Sequence, residues 1–164
     1  DLPKFYLDLG PYRKTAAKDS NPFTPAVNLY FGLEAALDLM QQEGLEQIFA
    51  RHARHRSAAQ AGMKAIGLPL FAAEGHGSPA ITAVAPEGMD AEQLRKAVKE
   101  KFDILLAGGQ DHLKGQVFRI GHLGFVCDRD VLTAVSAIEA TLQSLGLHQG
   151  TMGAGVAAAA AALG

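Results

Sequence analysis

The sequence contains one cysteine in 164 residues, and this scarcity excludes several kinds of site. Cys127 alone cannot form an internal disulfide, and it cannot supply the several thiolates of a multi-cysteine zinc or iron–sulfur site. Such low use of cysteine fits a reducing compartment, so we expect a cytoplasmic protein. Because Cys127 stands between Val126 and Asp128, we expect it to be a small packing residue at a strand-to-helix turn.

An excess of positive charge and a long apolar run are also missing. The 15 Lys and Arg residues are scattered and outnumbered by 17 Asp and Glu residues, whereas phosphate-binding surfaces need a concentration of basic side chains. No apolar run approaches the roughly 20 residues that span a bilayer, and no secretory leader pattern is visible. We therefore expect a soluble protein with neither nucleic-acid nor membrane partners.

The chain is long enough, at 48% hydrophobic residues, to form one domain with a real core or a large piece of a bigger protein. Hydrophobic periodicity and turn residues predict helices over 25–43, 45–66 and 91–102, and a last helix that is capped by Asp128 or Asp130 and runs to about 145. They predict strands over 68–72, 80–85, 104–107 and 117–124. Residues 151–164 are either a short helix or a frayed tail. This order predicts an α+β fold, with a small, mostly antiparallel sheet covered on one face by helices.

The apolar run from Val117 to Gly124 contains one permanent charge, Arg119. A strand of this composition is normally half buried, and a buried guanidinium needs an anion or several acceptors. The planar guanidinium fits a carboxylate through two parallel hydrogen bonds, which makes Arg119 a candidate for binding a small acid. The alternative is an ion pair with an Asp or Glu of the same chain.

Thr24 and Pro25 precede the first long helix and permit two interpretations. Thr24 is a suitable N-cap, and Pro25 suits the first helical position, where its missing N–H costs nothing. The other interpretation is functional, because the free N–H groups at a helix start attract phosphate and a threonine hydroxyl can join them.

Two further patterns each have a structural and a functional interpretation. His52 and His55 lie three residues apart on a predicted helix, but no third ligand follows at a matching spacing, so we expect a solvated face and no metal. Gly108 and Gly109 resemble a phosphate-binding loop, yet they lead into a strand where such a loop leads into a helix. A hairpin is therefore predicted, with the glycines providing backbone freedom or close approach to a ligand.

Four motifs together resemble the C-terminal part of class V, fold type I pyridoxal-phosphate aminotransferases. The nearest group is that of the alanine–glyoxylate and serine–glyoxylate enzymes, in a form similar to the cyanobacterial branch. The resemblance extends from about Leu2 to Leu147. The motifs are Thr24-Pro25 before a long helix, Glu43-Gly44-Leu45-Glu46 between two helices, Ala107-Gly108-Gly109, and Phe118-Arg119-Ile120-Gly121-His122-Leu123-Gly124.

The resemblance implies roles for individual residues. Arg119 matches the arginine that binds the substrate α-carboxylate, and Thr24 matches the threonine that reaches the cofactor phosphate of the neighbouring subunit. Asn21 stands where relatives often have a tyrosine that touches the same phosphate. Gly109 matches a glycine near the mouth of the active site.

The resemblance also implies that part of the intact enzyme is absent from this chain. The family's Schiff-base lysine lies in a large N-terminal domain, and this chain resembles the region that begins shortly after it. We expect residues 1–23 to be a connector from that domain, 24–148 to be the aminotransferase small domain, and 149–164 to be an Ala/Gly-rich tail. The chain alone is then expected to be inactive and to bind no pyridoxal phosphate, whereas the intact homodimer would act on a small amino acid and a 2-oxo acid.

The sequence also permits a second class of function. The chain could be a non-catalytic module that binds a small carboxylate through Arg119, or a subunit of a larger assembly, since some relatives are labelled soluble hydrogenase subunits. Nickel–iron and iron–sulfur chemistry needs several thiolates, which one cysteine cannot provide.

Overall fold

The computed structural model describes residues 3–164, so the first two residues of the predicted connector, including the Leu2 end of the resemblance, lie outside it. The chain divides between Leu45 and Glu46 into two compact units. None of the helices in the described part of the chain is both long and apolar enough to cross a membrane.

The first unit is built from local helical structure and one aromatic cluster. A single 3-10 turn, Phe5–Leu7, precedes α1 (Leu9–Ala16) and α2 (Val27–Glu43). The Asp8 carboxylate caps α1 by accepting a hydrogen bond from the Gly10 N–H at 2.9 Å. The Phe23 ring stacks on the Tyr6 ring with their centroids 4.7 Å apart.

Helix α2 begins later than the sequence predicts. Its N-cap is Ala26, which has no side-chain hydrogen bond, so the prediction that Thr24 caps this helix is wrong. The Val27 N–H instead donates to the Pro25 carbonyl at 2.9 Å. The C-terminal end is as predicted: Gly44 has a φ of +85°, a conformation that favours glycine, and its N–H donates to Met40.

The second unit contains the sheet and most of the helices. Helix α3 opens with the last residue of the first unit and is followed by three strands and three helices. Their bounds are α3 Leu45–Ala65, β1 Ile81–Val84, α4 Ala91–Phe102, β2 Ala107–Gly108, β3 Phe118–Gly121, α5 Asp128–Ser144 and α6 Ala154–Leu163. The Asp90 carboxylate caps α4 through the Glu92 N–H at 2.8 Å, as the sequence predicts.

The sheet has the strand order β1-β3-β2, and both pairings are antiparallel. Its core face presents alternate residues of the strands, among them Val84, Phe118 and Ile120, to the helices. The core is formed by apolar side chains of at most 5% exposure, including Met63, Ile66, Leu94, Val98, Val131, Val135, Ile138 and Leu142. The predicted α+β class, with helices on one face of a small antiparallel sheet, is confirmed.

Three predicted strands are shorter than expected: the one predicted over 117–124 is only Phe118–Gly121, and two others are almost absent. In the 68–72 segment only Leu70 forms a bridge, to Val84, and Pro69 has no N–H to extend the ladder. The 104–107 segment becomes a strand only at Ala107, where pairing with β3 begins. Apolar composition indicated extended chain in both places, but a strand needs a partner for several consecutive residues.

The alanine-rich tail is a helix packed on the second unit. Gly155 allows close contact, because a Cβ there would lie 2.8 Å from the Ile66 Cγ2 atom. The buried Glu139 carboxylate accepts hydrogen bonds from the Gly153 N–H at 2.9 Å and from His148 Nε2 at 3.3 Å. Of the two predicted alternatives for this segment, the helix is correct.

Helix α5 has Cys127 as its N-cap residue, so the prediction that Asp128 or Asp130 is the cap is wrong. The Asp130 carboxylate accepts a hydrogen bond from the Cys127 N–H at 2.9 Å, so Asp130 supports the helix start from its third position. Cys127 is exposed in this chain. Its position at the turn is as expected, but the expectation that it packs inside is wrong.

Candidate functional site

Arg119 lies in the middle of β3, on the face of the sheet opposite the core. Phe118 and Ile120 on either side of it are buried, whereas Arg119 is half-buried. Its direct cross-strand neighbours are Ala83 on β1 and Ala107 on β2. Paired residues of an antiparallel sheet share a face, so two methyl side chains flank the guanidinium and leave space beside it.

One hydrogen bond orients the Arg119 side chain. Its Nε–H donates to the Gly108 carbonyl at 3.1 Å. Within residues 3–164, no carboxylate lies in ion-pair range of Arg119, and its two terminal nitrogens have no hydrogen-bond partner. The internal ion pair considered as the alternative is therefore not found in this part of the chain, and the outer edge of the guanidinium is available to an anion.

Helix α4 contacts the chain just before β2, two residues from the carbonyl that accepts the Arg119 hydrogen bond. Arg95 donates from Nε to the Leu106 carbonyl at 2.7 Å and from Nη1 to Glu92 at 2.5 Å. A Cβ at Gly108 would lie 2.6 Å from the same Nη1 atom, so a larger residue there would require the Arg95 and Glu92 side chains to shift. Arg95 thus joins α4 to the residue before β2, and the Gly108 carbonyl of β2 accepts the hydrogen bond from Arg119.

Gly109 closes the hairpin between β2 and β3. A Cβ at this position would overlap the Leu113 carbonyl oxygen, and the Gly109 N–H donates to Val117 at 2.8 Å. The predicted hairpin is confirmed. Among the described residues, the close approach that requires glycine is made to the chain's own backbone.

His122 follows β3 and continues its core face, with the same two-residue spacing as Phe118 and Ile120. Its Nε2 atom lies 2.9 Å from the Thr82 hydroxyl of β1, and both side chains are buried. Burial, and next the nearby His55, lower the pKa of His122 to about 4. Carbonyl oxygens of Pro79 and of His122 itself oppose this shift, but none forms a hydrogen bond with Nδ1 within residues 3–164.

Helix α3 holds the segment that follows His122. The Arg51 guanidinium donates from Nη1 to the carbonyls of Gly124 and Val126, both at 3.0 Å. Four residues further along the helix, His55 places Nε2 2.8 Å from the Asp128 carboxylate. These contacts join α3 to the segment between β3 and α5 and to the first residue of α5.

The histidines of α3 do not form the solvated face that the sequence suggested. His55 is fully buried, and Asp128 accepts hydrogen bonds from both His55 and Arg54. These two hydrogen bonds, the one from His55 first, lower the pKa of Asp128. His52 places Nδ1 2.8 Å from the Ile48 carbonyl. Across residues 3–164, no three His, Cys, Asp or Glu side chains are grouped so that they could hold a metal ion.

Thr24 belongs to the first unit, where it lines a cavity of about 270 Å³. Asn21, Tyr6 and Tyr12 add hydroxyl and amide groups to its wall, and the rest of the lining is mostly apolar, including Phe23, Leu29 and Leu33. The Thr24 side chain is exposed and makes no hydrogen bond within residues 3–164. A group of uncharged donors of this kind suits the oxygens of a phosphate, provided that a cation or a helix start elsewhere balances the charge.

Sequence reasoning missed the contacts of His122 and Arg95. His122 was part of a quoted motif, but no role followed for it, although its two-residue spacing from Ile120 predicts an inward position. Nothing in the sequence pairs Arg95 with the Leu106 carbonyl, because only the crossing of α4 over β2 brings them together.

Comparisons with known proteins identify the family. The profile of the class-V aminotransferases matches residues 12–124. The chain belongs to the class-V aminotransferase family. Its fold agrees with that of solved aminotransferase structures.

Three relatives show the range of this family. The chain is 65% identical over 162 residues to the soluble hydrogenase small subunit of Synechococcus, covering 99% of this chain and 42% of that protein. It is 38% identical to the serine–glyoxylate aminotransferase of Arabidopsis thaliana, covering 97% of this chain and 38% of the enzyme. The crystal structure of the ureidoglycine–glyoxylate aminotransferase from Bacillus subtilis superposes with a TM-score of 0.87 at 32% identity, covering 96% of this chain and 41% of that one. The chain therefore spans about two fifths of the length of these relatives.

Proposed function

We propose that this chain is the C-terminal part of a pyridoxal-phosphate-dependent aminotransferase that transfers an amino group from a small amino acid, alanine or serine, to glyoxylate. In this proposal residues 24–148 form the small domain, 1–23 connect it to an N-terminal cofactor domain, and 149–164 are a tail. The intact protein would be a cytoplasmic homodimer.

The single observation that carries the proposal is the geometry of Arg119. Its guanidinium is half-buried, its Nε is held by the Gly108 carbonyl, and its terminal nitrogens are unpaired within the described residues. An arginine fixed in this way presents two parallel N–H groups to a carboxylate. Amino-acid and 2-oxo-acid substrates share that group, so one side chain could bind both halves of the reaction.

Polar groups in the cavity of the first unit support a role for Thr24 in binding the cofactor phosphate. The uncharged donors around Thr24 suit phosphate oxygens, and Thr24 would hold the phosphate together with Asn21. When bound, pyridoxal phosphate supplies the electron sink that makes removal of the amino-acid α-proton possible. The lysine that would carry the cofactor is not assigned to this chain: Lys4 and Lys14 lie in the first unit, and Lys114 is exposed in the hairpin loop.

Arg119 would contribute binding and orientation to the reaction. By holding the α-carboxylate through two hydrogen bonds, it would keep the Cα–H bond in one direction for proton removal. The Gly108 carbonyl prevents the guanidinium from rotating. His122, with a pKa of about 4, stays uncharged at neutral pH and adds no competing positive charge behind the strand.

In this proposal the chain by itself is inactive, because binding a substrate does not by itself transfer an amino group. The alternative is a non-catalytic module that binds a small carboxylate or acts as a subunit, and it is favoured by the 65% identity to a protein named as a hydrogenase subunit. With one cysteine, this chain cannot itself supply the thiolates of a nickel–iron or iron–sulfur centre.

The test uses the complete gene product that contains this sequence, with Arg119→Ala as the variant. We expect kcat/KM for amino acids to fall by the equivalent of about 2 to 5 kcal/mol, because the substrate carboxylate loses its charged partner. The control is Arg129→Ala, since the Arg129 side chain is 84% exposed at the start of α5. Unchanged kinetics in Arg119→Ala would remove this residue from the site.

The same preparation distinguishes the two function classes. The intact mass of the native product and its visible absorption are measured before any substitution is made. A species more than twice the mass of this 17.2 kDa chain, with the absorption of bound pyridoxal phosphate, supports the aminotransferase. A colourless product of only this mass would leave the carboxylate-binding module.

A further inference from the structure

A cavity of about 340 Å³ lies in the second unit, between helix α3, strand β1 and the loop of residues 72–78. Its volume is in the lower range of small-molecule sites. Arg119 does not line it. We propose that this cavity binds a small organic anion, a carboxylate on a short apolar chain, at a site separate from Arg119.

One wall of the cavity is a row of donors on α3. Arg56, Gln60 and Lys64 are spaced four residues apart, so they follow one another along the same side of the helix, and all three line the cavity. Within residues 3–164, neither Arg56 nor Gln60 has a hydrogen-bond or ion-pair partner for its side chain. A half-buried guanidinium without an acceptor is unusual, because burial removes part of its hydration.

The charge of the lining favours an anion. Arg56 and Lys64 are positive, and Glu74 is the one carboxylate among the lining residues. Its contact with Lys64 is 3.6 Å long, and the Glu74 side chain is 94% exposed, so this ion pair is weak and does not reach Arg56. The Arg56 fork is therefore left with an unbalanced positive charge.

The opposite wall is backbone held close to the helix. A Cβ at Gly77 would lie 2.5 Å from the Gln60 amide nitrogen, so the loop packs directly over the donor row. The Phe71 N–H donates to the Ala83 carbonyl at 2.9 Å, which fastens the start of the loop to β1. The backbone of this loop therefore forms the wall of the cavity that lies opposite α3.

The remaining lining residues define the ligand's other end. Leu70, Ala72, Ile81 and Ala83 contribute apolar surface. A guanidinium at one end and aliphatic side chains at the other match a carboxylate with a few carbon atoms attached, whereas inorganic phosphate would place polar oxygens against the apolar part.

The test is a titration of the complete chain with butyrate, followed by ¹H–¹⁵N NMR at constant ionic strength, with inorganic phosphate titrated in parallel. We expect saturable shifts confined to the α3 side of the cavity and the loop, with a dissociation constant in the millimolar range and weaker binding of phosphate. Arg56→Gln should weaken butyrate binding about tenfold or more, because it removes the charged fork. Gln60→Glu should weaken it as well by adding a negative charge on a side chain of similar size.

Two control variants test whether butyrate binds in this cavity or elsewhere on the chain. Arg13→Gln removes an exposed positive charge from the first unit and should leave binding unchanged. Arg119→Lys locates the bound butyrate: the shifts of residues around the cavity should stay, whereas shifts on β3 that disappear would belong to butyrate bound at Arg119 itself. If Arg56→Gln unfolds the chain, Gln60→Glu takes its place as the deciding variant.

Four results would overturn the proposal. They are unchanged binding in both cavity variants, an equal loss in Arg13→Gln, loss in Arg119→Lys alone, and preference for phosphate over butyrate. The aminotransferase proposal fails on a different measurement, kcat/KM of Arg119→Ala, so the two can be judged separately.

Discussion

The two units differ in how they are stabilised. No residue from 3 to 45 is buried, and helix α2 leaves large apolar side chains such as Phe31 and Leu29 more than 60% exposed. The second unit buries a continuous apolar core beneath its sheet. The first unit is held by local hydrogen bonds and one aromatic cluster, whereas the second is held by burial of apolar surface, the dominant favourable term in folding.

This difference indicates that α2 needs other surfaces to cover its apolar side chains. Its polar residues are few, and apolar side chains occupy most of its circumference, a pattern typical of helices covered on several sides. In our proposed function the cover is provided by the N-terminal domain and the second subunit of the intact enzyme. The second unit needs no such cover for its core.

The largest expected effect compares a core residue with an α2 residue. Phe118→Ala should lower the free energy of unfolding by about 3 to 5 kcal/mol, because Phe118 is fully buried. Phe31→Ala, at a position that is 64% exposed, should change it by no more than about 0.5 kcal/mol. Urea unfolding followed by circular dichroism measures both. Equal losses would mean that α2 is buried in this chain in solution.

A smaller effect should appear as the pH falls. Because the pKa of His122 is lowered from 6.5 to about 4, the unfolded chain binds a proton more readily than the folded chain. Stability that is present above pH 6.5 should therefore decrease as the pH falls towards 4, by at most about 3 kcal/mol. All six histidines lie in the second unit, so this loss should affect that unit.

Unfolding at a series of pH values tests this expectation, with His122→Leu as the variant. Its stability should change much less between pH 6.5 and 4 than that of the wild type. His112→Leu, at an exposed position, should keep the wild-type slope. The lowered pKa of Asp128 acts in a separate window below pH 4. The same slope in His122→Leu would contradict the assignment.

The smallest effects have opposite signs in the two units. Gly109→Ala should destabilise the second unit by about 1 to 3 kcal/mol, because its Cβ would overlap the Leu113 carbonyl. Gly32→Ala in α2 should stabilise the first by about 0.5 to 1 kcal/mol, since nothing lies within 4 Å and alanine favours helix. Thermal unfolding of both variants measures the difference. A neutral Gly109→Ala would show that the hairpin backbone can move.

Sequence reasoning was most accurate where structure depends on local signals. Helix α4 is predicted to the residue by the Asp90 cap and its apolar spacing, and the end of α2 by Gly44. It was wrong where the structure of a segment depends on which other segments it contacts. Residues 68–72 have strand composition but form only one bridge, and the basic stretch around His55 concealed a buried side chain.

The candidate site divides in the same way. Arg119 was identified because it is the one charged residue in an apolar run. A buried guanidinium needs an anion or several acceptors, whatever the position of its strand in the sheet. The hydrogen bonds of Arg119 with Gly108 and of Arg95 with Leu106 could not be predicted, since those contacts join residues that are distant in sequence. The roles of Arg119 and Thr24 toward substrate and cofactor stay predictions.

The sequence by itself determined the long helices, most of their ends and the presence of one charge in a buried-type strand, because capping, periodicity and turn chemistry act over a few residues. It did not predict α1, which runs through Gly10 and Pro11, a pair expected to break a helix. The tertiary structure alone decided strand lengths, the burial of His55 and His122, and the direction of the Arg119 fork. Each of these depends on which surfaces meet, and that is set by the packing of α3, α4 and α5 against the sheet.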